Sequence, residues 1–99
     1  MRHDSEMTYA GISFEAQMTA EQAAELARLM EEARPTRPEG VVTALLEHEG
    51  GHGRLVAVWR DREALDRYLA EADVPRGTEL MRKLGLEPDV RRFDVLDLG

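Results

Sequence analysis

The sequence predicts an α+β fold whose elements follow the order βαββαβ. Three observations lead to this prediction. In "MTYAGISFEAQM" every second residue belongs to one apolar row, which predicts a strand. Two later stretches carry apolar residues at helical spacing behind a Thr and an Asp, which are residue types that cap helices. Between them, "VVTALLEHEGGHGRLVAVWR" has the pattern of two strands around a Gly-Gly turn. This order is that of the ferredoxin-like fold, with four antiparallel strands and the main helices on one face.

A helix-capping sequence follows the first strand. Thr19 and Gln22 have the spacing of a capping box, in which each side chain accepts a hydrogen bond from the other residue's backbone N–H. Because Pro35 disfavours helical geometry in the residue before it, we expect this helix to stop at Arg34. Its apolar stripe is formed by Ala23, Leu26, Ala27, Met30 and Ala33.

The pair Gly50-Gly51 sets the register of the predicted hairpin. A two-residue turn there pairs Glu49 with His52 and, counting outward, Val42 with Trp59. Both faces of the hairpin are then apolar. One carries Val42, Ala44, Leu46, Leu55, Ala57 and Trp59, and the other carries Val41, Thr43, Leu45, Val56 and Val58.

The second half of the chain supplies the remaining elements. Asp61 is the predicted cap of a second helix, and Gly85 is the predicted stop of a short third one. A last strand is predicted in "PDVRRFDVLDL". The apolar stripe of the second helix comprises Ala64, Leu65, Tyr68, Leu69 and Ala72.

The composition excludes several classes of function. We expect one domain over residues 7–99, preceded by a disordered tail of residues 1–6. The absence of cysteine excludes disulfides and thiolate chemistry and fits a cytoplasmic protein. With a net charge of −7 the chain lacks the basic surface that nucleic acids require, and an anionic membrane would repel it. We therefore expect neither nucleic-acid nor membrane partners.

The doubly apolar hairpin predicts a partner protein. Helices in this topology cover only one face of the sheet, and a sheet face exposed to water is normally polar. Here the second face of the hairpin is polar only at Thr43 in its middle. The simplest cover is a second copy, so we expect a homodimer joined through the sheets, which would form a barrel with the helices outside.

The stretch "VAVWRDREALDRYLAEA" resembles a known family. Trp59 at the end of a strand, followed by Asp61, Glu63, Ala64 and Leu65, matches the pattern W-x-[DS]-x-E-A-L. This pattern and the element order are similar to those of the antibiotic-biosynthesis-monooxygenase-like group of dimeric α+β barrel proteins. The resemblance implies a pocket between helices and sheet. It also implies chemistry, because some members oxidise polycyclic aromatic substrates with O₂ and no cofactor, and others degrade haem.

The resemblance makes Trp59, Tyr68, Val42 and Leu65 the candidate substrate pocket, with no catalytic residue assigned. Members often have a His in the second helix about nine or ten residues after the Trp, and here that place falls on Tyr68 or Leu69. Haem iron usually takes an axial His, Cys, Met or Tyr, so a haem-ligating role has no obvious ligand here, although Tyr68 could substitute, and we expect no cofactor. The implied function is a cofactor-independent monooxygenase acting on an apolar or aromatic small molecule.

Two alternatives remain open from the sequence. The chain could be a non-catalytic dimeric module that binds a small ligand or a partner protein, because the residues on the face of Trp59 are apolar and a cofactor-independent oxygenase needs polar groups. Trp59 itself could be a core residue rather than a pocket wall. We expect no metal site at the hairpin tip, because His48 and His52 lie on different rungs.

Overall fold

The computed structural model describes residues 8–99, so the predicted tail of residues 1–6 and Met7 lie outside the described residues. The predicted order of elements is confirmed. The strands are β1 (Tyr9–Gln17), β2 (Val41–Glu49), β3 (His52–Trp59) and β4 (Asp89–Val95). The helices are α1 (Ala20–Ala33), α2 (Arg62–Glu71) and α3 (Arg76–Arg82), and a single 3₁₀ turn, Arg34–Thr36, extends α1.

The sheet has the strand order β2-β3-β1-β4, and its neighbouring strands are antiparallel. This is the arrangement of the predicted ferredoxin-like fold. The helices cover one face, and the core lies between them and the two central strands, β1 and β3. Its most deeply buried side chains are Leu26 of α1, Leu65 of α2 and Met81 of α3.

Both helix-capping predictions are confirmed. The N–H of Gln22 donates to Oγ1 of Thr19 at 3.0 Å, and the N–H of Thr19 donates to Oε1 of Gln22 at 2.9 Å. At α2 the N–H of Ala64 donates to Oδ1 of Asp61 at 2.8 Å. These bonds satisfy backbone donors that have no partner inside the helix, and so they fix where α1 and α2 begin.

The hairpin register is confirmed near the turn and wrong at its far end. Gly50 and Gly51 have φ angles of 59° and 82°, and Glu49 pairs with His52 as predicted. The predicted pairing of Val42 with Trp59 is wrong, because the register shifts between residues 41 and 43 and Val41 lies opposite Trp59 instead. A bulge adds one residue to a strand. Here it puts Val41, instead of Val42, on the face of the sheet that carries Trp59.

The short helix α3 packs very closely on β1. A Cβ at Gly77 would lie 2.4 Å from Cδ1 of Phe14, which is inside van der Waals contact. The bare backbone therefore lets α3 approach the sheet. Beyond the helix, the guanidinium of Arg82 donates twice to the carboxylate of Glu87, at 2.9 Å each, and this hydrogen bonding lowers the pKa of Glu87. None of the helices within residues 8–99 is long and apolar enough to span a bilayer.

We expect Gly77→Ala to destabilise the fold. The added methyl must displace the ring of Phe14, and overpacking of this kind costs about 1–3 kcal/mol, against a gain in helix propensity of at most about 1 kcal/mol. Urea unfolding measures the difference. Lys83→Ala, at an exposed position at the end of the same helix, is the control. An unchanged or higher stability of Gly77→Ala would contradict the close approach of α3.

Candidate functional site

A cavity of about 90 Å³ lies between the sheet and the helices and opens to solvent on one side. Its sheet side comes from core-facing residues of the three strands β1, β2 and β3, and its helix side from α1 and α3. The sheet side comprises Ile12, Phe14, Ala44, Leu55 and Ala57. The helix side comprises Met30, Ala33, Gly77 and Leu80. The interior is therefore apolar and suited to a hydrocarbon or aromatic group.

Trp59 closes one end of the cavity. It is the last residue of β3 and is only 3% exposed. The loop before β2 passes directly behind it, because Gly40 has a φ of 104° and a Cβ there would lie 3.0 Å from Cε3 of the indole. The N–H of Arg60 donates to the carbonyl of Gly40 at 2.7 Å and holds this loop against the strand end.

Tyr68 forms the adjoining wall. Its ring packs against the indole of Trp59 with 4.9 Å between ring centroids and 35° between planes. Its hydroxyl oxygen accepts a hydrogen bond from the N–H of Arg76 at 2.8 Å. Because that bond occupies an oxygen lone pair, the hydroxyl proton of Tyr68 remains available as a donor.

The open side of the cavity is basic. Arg34, Arg37 and Arg76 all line it. Arg34 is neutralised by Glu31, with 3.2 Å between Nη2 and Oε1. In the described part of the chain, the cavity lining contains no Asp, Glu or His. The site therefore offers hydrogen-bond donors and positive charge, and it lacks a side chain that would act as a general base at neutral pH.

The structure brings two of the four candidate pocket residues to the cavity. Trp59 and Tyr68 line it. Leu65 is fully buried in the core and does not line it, and Val42 lies at the bulge, 44% exposed. Val41 occupies the place that was expected for Val42. Contact of these residues with a ligand stays a prediction.

The sequence pattern does not reveal the cavity arginines. Arg34 and Arg37 flank a Pro-Thr pair in "RPTRPEG", and Arg76 opens α3 some forty residues later. No periodicity connects loop residues to a distant helix start, so only the fold brings them together. The only hint of a binding site in the sequence is that two arginines stand in a segment whose prolines restrict the backbone.

The two histidines of the hairpin engage separate partners. Nε2 of His48 lies 2.9 Å from the carbonyl oxygen of Met18, and Nε2 of His52 lies 2.9 Å from Oε1 of Glu15. Within residues 8–99, no three His, Cys, Asp or Glu side chains converge as metal ligands would. The hairpin tip is thus held to β1 by these contacts.

Comparison with known proteins places the fold. No protein-family model matches the sequence, and no curated protein matches it significantly. Among solved structures, a protein of unknown function from Nitrosomonas europaea is 17% identical with a TM-score of 0.64, and each chain is covered to 95%. SnoaB, a cofactor-independent oxygenase from Streptomyces nogalater, is 18% identical with a TM-score of 0.57, and each chain is covered to 93%.

A third solved structure, a provisionally assigned antibiotic biosynthesis monooxygenase from Chloroflexus aurantiacus, is 14% identical with a TM-score of 0.56. The match covers 92% of this chain and 94% of that one. At these identities the likeness establishes the fold. The resemblance to this group that the sequence indicated is confirmed at that level.

We expect Trp59→Ala to lower the free energy of unfolding by about 3–5 kcal/mol, because a buried indole stacked on Tyr68 is removed. Trp59→Phe retains a ring against Tyr68 and should lose less. Chemical denaturation measures both, with Leu96→Ala at a 78% exposed residue as control. A loss for Trp59→Ala no larger than that of the control would mean that Trp59 does not hold the wall of the cavity.

Proposed function

We propose that this protein is a cofactor-independent monooxygenase that oxidises an apolar or aromatic small molecule in the cavity beside Trp59. One observation carries the proposal. The chain has an apolar, one-sided cavity with a free hydroxyl donor, in the same fold as the cofactor-independent oxygenase SnoaB. The cavity, at about 90 Å³, is smaller than the roughly 150 Å³ known to hold a benzene ring, so it takes part of the molecule and the rest lies at the open side.

The reaction proposed is oxidation of an activated methylene to a carbonyl. A proton leaves the C–H bond, and the carbanion, delocalised onto a neighbouring oxygen, reduces O₂ and forms a C–O bond. The peroxide anion takes up a proton from solvent, and loss of the second C–H proton then breaks the O–O bond, so that one oxygen remains as the carbonyl and the other leaves as water. Since no described side chain in the lining is a carboxylate or imidazole, solvent at the open side accepts the proton.

Tyr68 is the residue proposed to support this chemistry. Its hydroxyl oxygen is held by the N–H of Arg76, and its proton is free to be donated to an oxyanion in the cavity. A donor aimed at developing negative charge in an apolar surrounding stabilises the transition state strongly. Trp59 stacks on the Tyr68 ring and limits its movement, so it acts as a positioning residue.

We expect oxygen uptake with anthrone-type phenols in metal-free buffer, with one ketone formed per O₂ consumed. Tyr68→Phe should lower kcat about 10–100-fold with a smaller change in KM, because the donor acts on the anion rather than on the neutral ring. Tyr9→Phe changes the other tyrosine, which does not line the cavity, and is the matched control. Equal kcat values for the two variants would remove Tyr68 from the mechanism.

The absence of a general base from the described residues of the cavity lining favours a second function. A lining with no carboxylate or imidazole among its described residues suits a module that binds an apolar molecule without turning it over. The two functions differ in one measurement. Quenching of Trp59 by the anthrone-type phenols without oxygen uptake would support the binding module and contradict the oxygenase.

We also propose that the uncovered sheet face joins two copies of the chain. The apolar centre of this face consists of Leu45, Val56, Val58 and Phe93, on the side opposite the helices. In the single chain Leu45 is 48% exposed, whereas Val56 and Val58 are already buried at 5% and 6%. Nε of Arg54, on the same face, is buried without a hydrogen-bond acceptor. A covering surface that brings an acceptor would relieve both defects, and a two-fold dimer is the commonest form of such a cover.

We expect Leu45→Asp to convert a dimer into a monomer, because two carboxylates would enter the apolar centre of the contact. Sedimentation velocity at micromolar concentration measures the change. Val90→Asp is the control, since Val90 is 45% exposed and lies on the rung of Phe14, on the other face of the sheet. A wild-type protein that sediments as a monomer would contradict the proposal.

A further inference from the structure

Two arginines at the open side of the cavity have no acidic partner. In residues 8–99, the arginines that form no salt bridge are Arg37, Arg76 and Arg91, and the first two line the cavity. Arg37 makes no side-chain hydrogen bond that the structure describes. Arg76 bonds only to neutral oxygens, with Nη1 donating to the carbonyl of Ala33 at 3.2 Å and to Oγ1 of Thr36 at 3.1 Å.

This pairing pattern is unusual for so acidic a chain. The protein has 20 acidic residues and a net charge of −7, and most of its described arginines find a carboxylate. Yet the cavity lining contains no acid, and the positive charge at its opening is left uncompensated. Uncompensated positive charge beside an apolar interior is complementary to an amphipathic anion.

The side chain of Arg76 is also held in place before any ligand arrives, and the backbone at Arg37 is restricted. Arg37 lies between Pro35 and Pro38, whose rings restrict the backbone on both sides. Arg76 is tied through Nη1 to the end of α1, which leaves Nε and Nη2 free to donate. Its own N–H is bonded to Tyr68. The Arg76 side chain therefore loses little freedom when an anion binds, and preorganised donors bind more tightly.

We infer that the cavity takes an apolar carboxylic acid, with its hydrocarbon or aromatic body inside and its carboxylate on Arg37 and Arg76 at the open side. The inference rests on the proposed function to the extent that this cavity is the ligand site. A carboxylate fits better than a phosphate dianion, because only two unpaired guanidinium groups are present, Arg34 is neutralised by Glu31, and the flat guanidinium matches a planar carboxylate.

The test compares two ligands that differ only in charge. We expect para-butylbenzoate to quench the single tryptophan, Trp59, at least about tenfold more tightly than the neutral para-butylbenzamide. Arg37→Gln should weaken benzoate binding about tenfold and leave benzamide binding unchanged, whereas Arg37→Lys should retain part of the preference. Lys83→Gln removes the same charge at an exposed position outside the cavity lining and is the matched control.

Each of the other possible results would contradict one specific claim. Equal affinity for benzoate and benzamide would overturn the inference and leave the cavity as the ligand site of the proposed function. An equal effect of Arg37→Gln and Lys83→Gln would overturn it too, since only net charge would then matter. Tighter binding of para-butylphenyl phosphate would overturn the assignment of a carboxylate. If neither butylbenzene compound quenched Trp59, the inference and the proposed ligand site would both fail.

Discussion

The packing of Trp59 against Tyr68 starts a series of contacts along the wall of the cavity. The indole at the end of β3 holds the ring of α2, and the hydroxyl of that ring holds the first N–H of α3. The side chain of Arg76 then reaches back to the carbonyl of Ala33 at the end of α1. Each element touches the next through one specific contact. The cavity keeps its shape because these contacts lie along its wall instead of filling it.

The fold could be predicted because its signals are local. Strand alternation, helix caps and a Gly-Gly turn each act over a few residues, so the sequence carries them directly. The prediction failed only where two neighbouring residues were chemically identical. Val41 and Val42 fit either face equally well, so the pattern could not reveal that a bulge puts Val41, and not Val42, opposite Trp59.

The site was predictable only where it coincides with the core. Trp59 and Tyr68 were assigned to a pocket by the family resemblance, because the apolar pattern alone does not distinguish a residue that lines a buried cavity from one that fills a core. Arg37 and Arg76 belong to a loop and a helix start, where no periodic pattern applies. They are also far apart in the chain, and their common position depends on how α1 and α3 are brought together on the sheet.

The basic opening lies on an acidic protein, and this combination affects the rates at which an anion binds and dissociates. Beyond about one Debye length, ~8 Å at physiological salt, salt screens both the net charge of −7 and the arginines, so an anion is attracted only once it is close to the opening. Arrival therefore gains little from charge, while departure is resisted by two guanidinium groups. Discrimination between charged and neutral ligands then resides in how long each one stays, rather than in how often each one arrives.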